Sequence, residues 1–162
     1  MQKSGQKRFD SSGLDASWDR LTGKDWVDIL RKQSRFVNKC PWDKLDGENW
    51  AALLQWDPQF ADQCDWNKLA GEDWGDLLLW QPQFVDKCPW NKLTGKAWAF
   101  LLRKHPQFAD QCPWDKLTGK DWTWLLQKQP QFADKCPWEK LEADDWNNLL
   151  RQKPQFEQFR KG

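Results

Sequence analysis

Apolar residues return along this chain at a fixed interval. Written in lines of 24, the residues from Ala16 to Phe159 fall into six gapless lines, 16–39, 40–63, 64–87, 88–111, 112–135 and 136–159. The line from Cys112 to Lys135, CPWDKLTGKDWTWLLQKQPQFADK, shows the pattern. Eight of its positions stay apolar or nearly so across the lines, here Cys112, Trp114, Leu117, Trp122, Leu125, Leu126, Phe132 and Ala133. A period of this size predicts an array in which each unit buries its apolar side against its neighbours.

Within the unit, Trp122, Leu125 and Leu126 have the i, i+3, i+4 spacing of one helical face, and the set recurs from Trp26, Ile29, Leu30 to Trp146, Leu149, Leu150. One helix of about ten residues per unit follows. Thr22 with Asp25, and Thr118 with Asp121, are spaced as capping boxes. Leu117 and Trp122 flank the box as a hydrophobic staple, repeated as Leu21/Trp26 through Leu141/Trp146. Gly119 then falls at the first helical position, either to let backbones pack closely at the entry turn or to cap the preceding turn. The helix stops at Gln129, because the residue before Pro130 is pushed out of the α region. PQFADKC predicts a second, short helix with Phe132, Ala133 and Cys136 inward, ended by Pro137. PWEKL adds a further turn that presents Trp138 and Leu141.

A unit this small cannot bury enough apolar surface to offset the entropy of ordering it, so stacking is the fold. The end lines differ as an open stack requires. Ala16, Ser17 and Ser34 replace the usual Cys, Pro and Pro of the first line, while Ala143 replaces Gly and Glu157 replaces Ala or Val in the last. Residues 1–15, with Phe9 and Leu14, are expected to form an N-terminal cap or partly ordered tail, and 160–162 a short C-terminal tail. The expected architecture is all-α: an open right-handed α-solenoid of six repeats, each one helix and two short helical turns.

The string PQFADKC followed by PWEKL resembles Trp-rich tandem repeats of bacterial proteins of unknown function, over residues 16–159. A 24-residue unit of one helix and short turns is also similar to the leucine-rich-variant class of α-solenoids, in period and architecture only. The first resemblance implies no activity, and the second implies the superhelical stack.

Composition sharpens the picture in two ways. The 162 residues include 15 Trp and 9 Phe but no Tyr, so aromatics serve mainly as apolar volume. The 25 basic and 24 acidic side chains leave a net charge of +1, which argues against nucleic acid or an anionic membrane as partner. No apolar run approaches the roughly 20 residues that span a bilayer, and MQKSGQKRFD lacks the apolar stretch of a secretory signal. The expectation is a soluble, cytoplasmic protein with free thiols.

Candidate chemistry is sparse. The cysteines at 40, 64, 88, 112 and 136 are one per unit; helix-packing distances of about 8 to 10 Å keep neighbours beyond the roughly 7 Å reach of a disulfide. They match no zinc spacing and read as small buried apolar residues. His105, the only histidine, stands where other units carry Gln33, Asp57, Gln81, Gln129 and Lys153, a variable position with no catalytic context. The recurrent Asp25, Asp73, Asp121 and Asp145 are explained by capping. The Asp-Lys pairs Asp43/Lys44 and Asp115/Lys116 read as a solvated face. No nucleophile constellation, phosphate loop or metal set stands apart from the repeat, so neither catalysis nor a cofactor is expected.

Shared positions build the stack, so recognition belongs among the varying ones. Two rows four residues apart vary on the long helix: Asp28, Ala52, Asp76, Phe100, Trp124, Asn148, and Lys32, Trp56, Trp80, Lys104, Lys128, Gln152. At about 100° per residue this face turns away from the core. Ala52, Trp56, Leu79, Trp80, Phe100 and Trp124 are expected to make an apolar band across the central four repeats, a surface for a protein, a peptide or another copy of the chain. The alternative is that curvature folds these rings into additional core. A purely structural or engineered array without ligand, and a carbohydrate-binding module, are the rival functions.

Overall fold

The computed structural model describes residues 18–160, and the tail segment 1–15 lies outside them together with Ala16 and Ser17. Among the described residues six α-helices of ten residues each follow one another: α1 (Gly23–Lys32), α2 (Gly47–Trp56), α3 (Gly71–Trp80), α4 (Gly95–Lys104), α5 (Gly119–Lys128) and α6 (Ala143–Gln152). Each is followed by a six-residue 3₁₀ helix, Pro130–Lys135 after α5 for example, and a three-residue 3₁₀ turn such as Trp138–Lys140 leads into the next. Successive α-helices pack side by side, and no strand occurs among the described residues. The chain is an all-α solenoid.

Local chemistry sets the helix bounds as the sequence predicts. Thr118 Oγ1 accepts the Asp121 amide, and Asp121 Oδ2 accepts the Thr118 amide at 2.9 Å. Thr22 and Asp25 repeat the arrangement. Where Ala70 or Glu142 stands at the cap, Asp73 or Asp145 still accepts its amide. The hydroxyl and amide of Thr22 hold the Asp25 carboxyl below its ordinary value.

The core is a ladder of tryptophans. In every unit the first Trp stacks on the helix Trp, as Trp114 does on Trp122 with centroids 5.3 Å apart, and the unit's Phe tilts against the same ring. Trp26, Trp50, Trp74, Trp98 and Trp122 are fully buried, with the staple leucines and both helix leucines of the inner units around them. Trp114, Phe132 and Ala133 are only half-buried, since the 3₁₀ turns that carry them lie along the side of the stack. The indole N–H of each fully buried Trp has no hydrogen-bond partner. Such a donor destabilises the fold by roughly 1 to 3 kcal/mol, a cost offset by the large apolar area of the ring.

Three sets of contacts join one unit to the next. A Cβ at Gly23 or Gly119 would lie 2.7 Å from the carbonyl oxygen of Lys44 or Lys140 in the following unit, and Gly71 and Gly95 are closer still to Lys92 and Lys116. No glycine has positive φ among the described residues, so close packing rather than a left-handed cap explains the residue. In α6 the position is Ala143, which is exposed.

The lysine beside the Asp or Asn of each turn is not merely solvated. Lys68 Nζ donates to Asp43 O and Leu45 O of the preceding unit at 2.7 and 2.8 Å, and Lys44, Lys92 and Lys116 repeat the clamp. Lys140 keeps one of the two bonds, to Asp115 O. All four residues of Asp43/Lys44 and Asp115/Lys116 are exposed, as a solvated face requires, and the ammonium groups in addition tie units together. The third contact runs between helix ends. Gln81 and Gln129 donate their side-chain amides to Gln55 O and Arg103 O, and His105 Nε2 meets Leu79 O at 3.0 Å in the same place. His105 is thus a structural equivalent of glutamine.

At the last unit Phe159 replaces the Lys or Gln of the other lines and stacks flat on Trp138, with centroids 4.6 Å apart. It covers a ring that would otherwise face solvent at the end of the ladder.

Candidate functional site

The two variable rows lie on the outer side of the long helices. Trp56 and Trp80 end α2 and α3, and at about 100° per residue they lie well over 90° around the helix from the buried face of Trp50, Leu53 and Leu54 or Trp74, Leu77 and Leu78. Trp124 lies one turn earlier on α5. Trp56, Trp80 and Trp124 are 60, 61 and 43 % exposed, and they are the exposed large hydrophobic residues among those described. They are therefore surface, and the alternative of extra core does not hold for them. Ala52, Leu79 and Phe100 are half-buried, Ala52 against the core.

The structure divides these residues into two groups. Ala52, Trp56 and Trp80 line one open cleft of about 370 Å³ together with Arg31, Gln55 and Gln81. Leu79 and Phe100 line a second, with Glu72, Asp76 and Lys96. Trp124 lines a third with Lys116, Lys120 and Asp121, and meets Phe100 edge-on at 5.2 Å. The expected single band is thus a Trp56–Trp80 cleft at the helix ends and a Phe100–Trp124 pair one turn back. Ala52 and Phe100 share a register position, but Trp56 and Trp124 do not, which shifts the second pair toward the helix N-termini.

Cations sit on the rings. The Arg31 guanidinium lies 4.9 Å from the Trp56 centroid, Lys104 Nζ lies 3.7 Å from that of Trp80, and Arg103 lies 5.9 Å from that of Phe100. Sequence reading of the apolar rows misses these, because each cation belongs to an adjacent unit or an adjacent row; their signal is that Arg31 and Lys104 occupy the same two helix-end positions as Gln55 and Trp80. Around the Phe100 cleft the charge is mixed. Lys96 Nζ lies 3.9 Å from Glu72, which also accepts from Thr94 Oγ1 at 2.7 Å. Partial desolvation pushes the Asp76 carboxyl up, and nearby Glu72 and Asp73 add to it.

The cysteines are outside this surface. All five are free, and burial pushes every thiol from an ordinary 9.0 up to about 12, so they are poor nucleophiles near neutrality. No described helix is long and apolar enough to cross a membrane. No family model, curated protein or solved structure matches the chain.

Proposed function

We propose that this chain is a non-enzymatic repeat scaffold of the cytoplasm that binds a protein or peptide through Trp56, Trp80, Phe100 and Trp124. One observation carries the reading: the exposed large hydrophobic residues among those described are three tryptophans on the outer side of the long helices, two of them, Trp56 and Trp80, sharing a cleft between neighbouring units and the third pairing with Phe100. Rigid aromatic side chains give large contact area at small entropic cost, and such residues dominate recognition surfaces. The repeating core leaves this face free to vary without disturbing the stack. The likeness to Trp-rich bacterial repeats belongs to the same proposal and adds no ligand.

The test is selection of a displayed random-peptide library on the wild type and on W56S/W80S/W124S. Peptides that enrich on the first and not on the second support the reading. Absence of differential enrichment, with both chains monomeric by light scattering, would leave a purely structural array. A concentration-dependent dimer that the variant lacks would make a second copy the partner.

A further inference from the structure

The final two positions of every long helix are either cationic or uncharged. Arg31 and Lys32 end α1, Arg103 and Lys104 end α4, Lys128 ends α5, and Arg151 precedes the last residue of α6. No carboxylate occupies either position in any of the six helices, and only α2 and α3, which end in Gln55-Trp56 and Leu79-Trp80, lack a cation there. Hydrogen bonds from Gln81, His105 and Gln129 tie the ends of α2, α3, α4 and α5 into one rim, which Arg31 of α1 joins through the Trp56 ring. Along it the order is cations, two tryptophans, then cations again.

Attraction to the helix C-terminal dipole accounts for cations at these positions. It does not account for where they point. Arg31 and Lys104 reach the two indoles from opposite flanks, and among the described residues neither they nor Arg103 has a carboxylate within ion-pair distance. The cleft between the indoles carries Arg31, two glutamines and no acid. The clefts nearer the helix N-termini are of mixed charge: Asp28, Asp46 and Glu48 with Lys24, Arg31 and Lys44 in one, Glu72 and Asp76 with Lys96 in another, and Glu72 and Asp121 with Lys96, Lys116 and Lys120 in the third.

We infer that the rim selects an acidic peptide segment with an apolar or aromatic residue at its centre; this rests on the peptide-binding reading above. The central side chain enters between Trp56 and Trp80, and carboxylates on either side take Arg31 and Lys104. A guanidinium gains more from a bidentate carboxylate than from an exposed ring, so the cations leave the indoles and free both faces for the ligand. The inner clefts set acids among their cations, whereas the Trp56–Trp80 cleft offers a cation with no competing carboxylate. A nucleic-acid strand fits this arrangement less well. Its phosphates need a continuous cationic track, whereas the second and third units supply no cation at the rim and the whole chain carries a net charge of +1.

The experiment takes the peptides enriched on the wild type by the displayed random library and prepares each with its isostere, Glu changed to Gln and Asp to Asn. Binding to the wild type and to R31Q/K104Q is read by fluorescence anisotropy at low and at physiological salt, with an oligothymidylate in parallel. Both substituted side chains are solvent-facing or ring-seated, and circular dichroism confirms that the variant keeps its helix content. The expected result is acidic peptides around an apolar residue, about tenfold weaker as isosteres or on R31Q/K104Q, and weakening with salt. Enrichment of neutral or basic peptides, equal binding of the isosteres, or tighter binding of the oligothymidylate would overturn the inference while leaving a binding scaffold. Failure of any peptide to distinguish the wild type from W56S/W80S/W124S would remove the binding reading itself, and this inference with it.

Discussion

A single absent methyl group decides how closely two units approach. At Gly95 an added Cβ would press on the Lys116 carbonyl and the Asp121 carboxylate, so G95A is expected to lose about 1 to 3 kcal/mol of stability by overpacking. A143G, at the equivalent but open position of α6, should change stability by less than about 1 kcal/mol. Urea unfolding of the pair checks this, and equal losses would contradict the packing role. The cysteines predict a pH dependence of definite sign. Their folded values lie near 12 and their ordinary value is 9.0, so above pH 9 the unfolded chain releases protons that the folded chain keeps. The thiol contribution is complete below pH 9 and is lost as pH rises toward 12. The urea midpoint should therefore fall from about pH 8 to about pH 10.5, and replacing the five cysteines with alanine should flatten that fall. Asp25 acts in the opposite direction: its carboxyl is held low by Thr22, so its contribution disappears as the solution is acidified through the folded value.

At the scale of the element, what was legible was what is local. The box of Thr118 and Asp121, the staple of Leu117 and Trp122 and the stop before Pro130 each involve residues within five positions, and α5 starts and ends where they place it. The lysine clamp was not legible, because Lys68 bonds to carbonyls 23 and 25 residues away and an exposed charged side chain carries no mark of a backbone partner. The clue was present in the invariance of Lys44, Lys68, Lys92, Lys116 and Lys140 beside a neighbour that alternates among Asp, Asn and Glu. His105 was unreadable for the same reason, its partner Leu79 O being 26 residues back. The aromatic rows were legible as a face, but their division into two groups depends on a one-turn offset that only stacked helices reveal. K68M should cost about 1 to 3 kcal/mol, the worth of bonds to a charged donor, and should raise amide exchange in the turn of the preceding unit. Unchanged stability and exchange would show that the clamp is only surface decoration.

For the whole molecule, nearest-neighbour contacts make the stack close to a one-dimensional system. Deleting residues 88–111 removes one complete unit and keeps the register of every interface, so the shortened chain should still fold, with a urea m-value lower by about one sixth. A deletion of half that length would misplace each Trp, glycine and lysine relative to its neighbour and should prevent folding. The same logic separates the residues that build the stack from those available for recognition, and that separation is the central claim. The measurement that reaches it most directly is urea unfolding of W56S/W80S/W124S followed by circular dichroism. The account predicts wild-type helix content and a stability within about 1.5 kcal/mol of the wild type, as expected of three solvent-facing substitutions. Collapse of the helical signal, or a loss of the size seen when core tryptophans are truncated, about 3 to 5 kcal/mol for each, would place those rings in the core and contradict it.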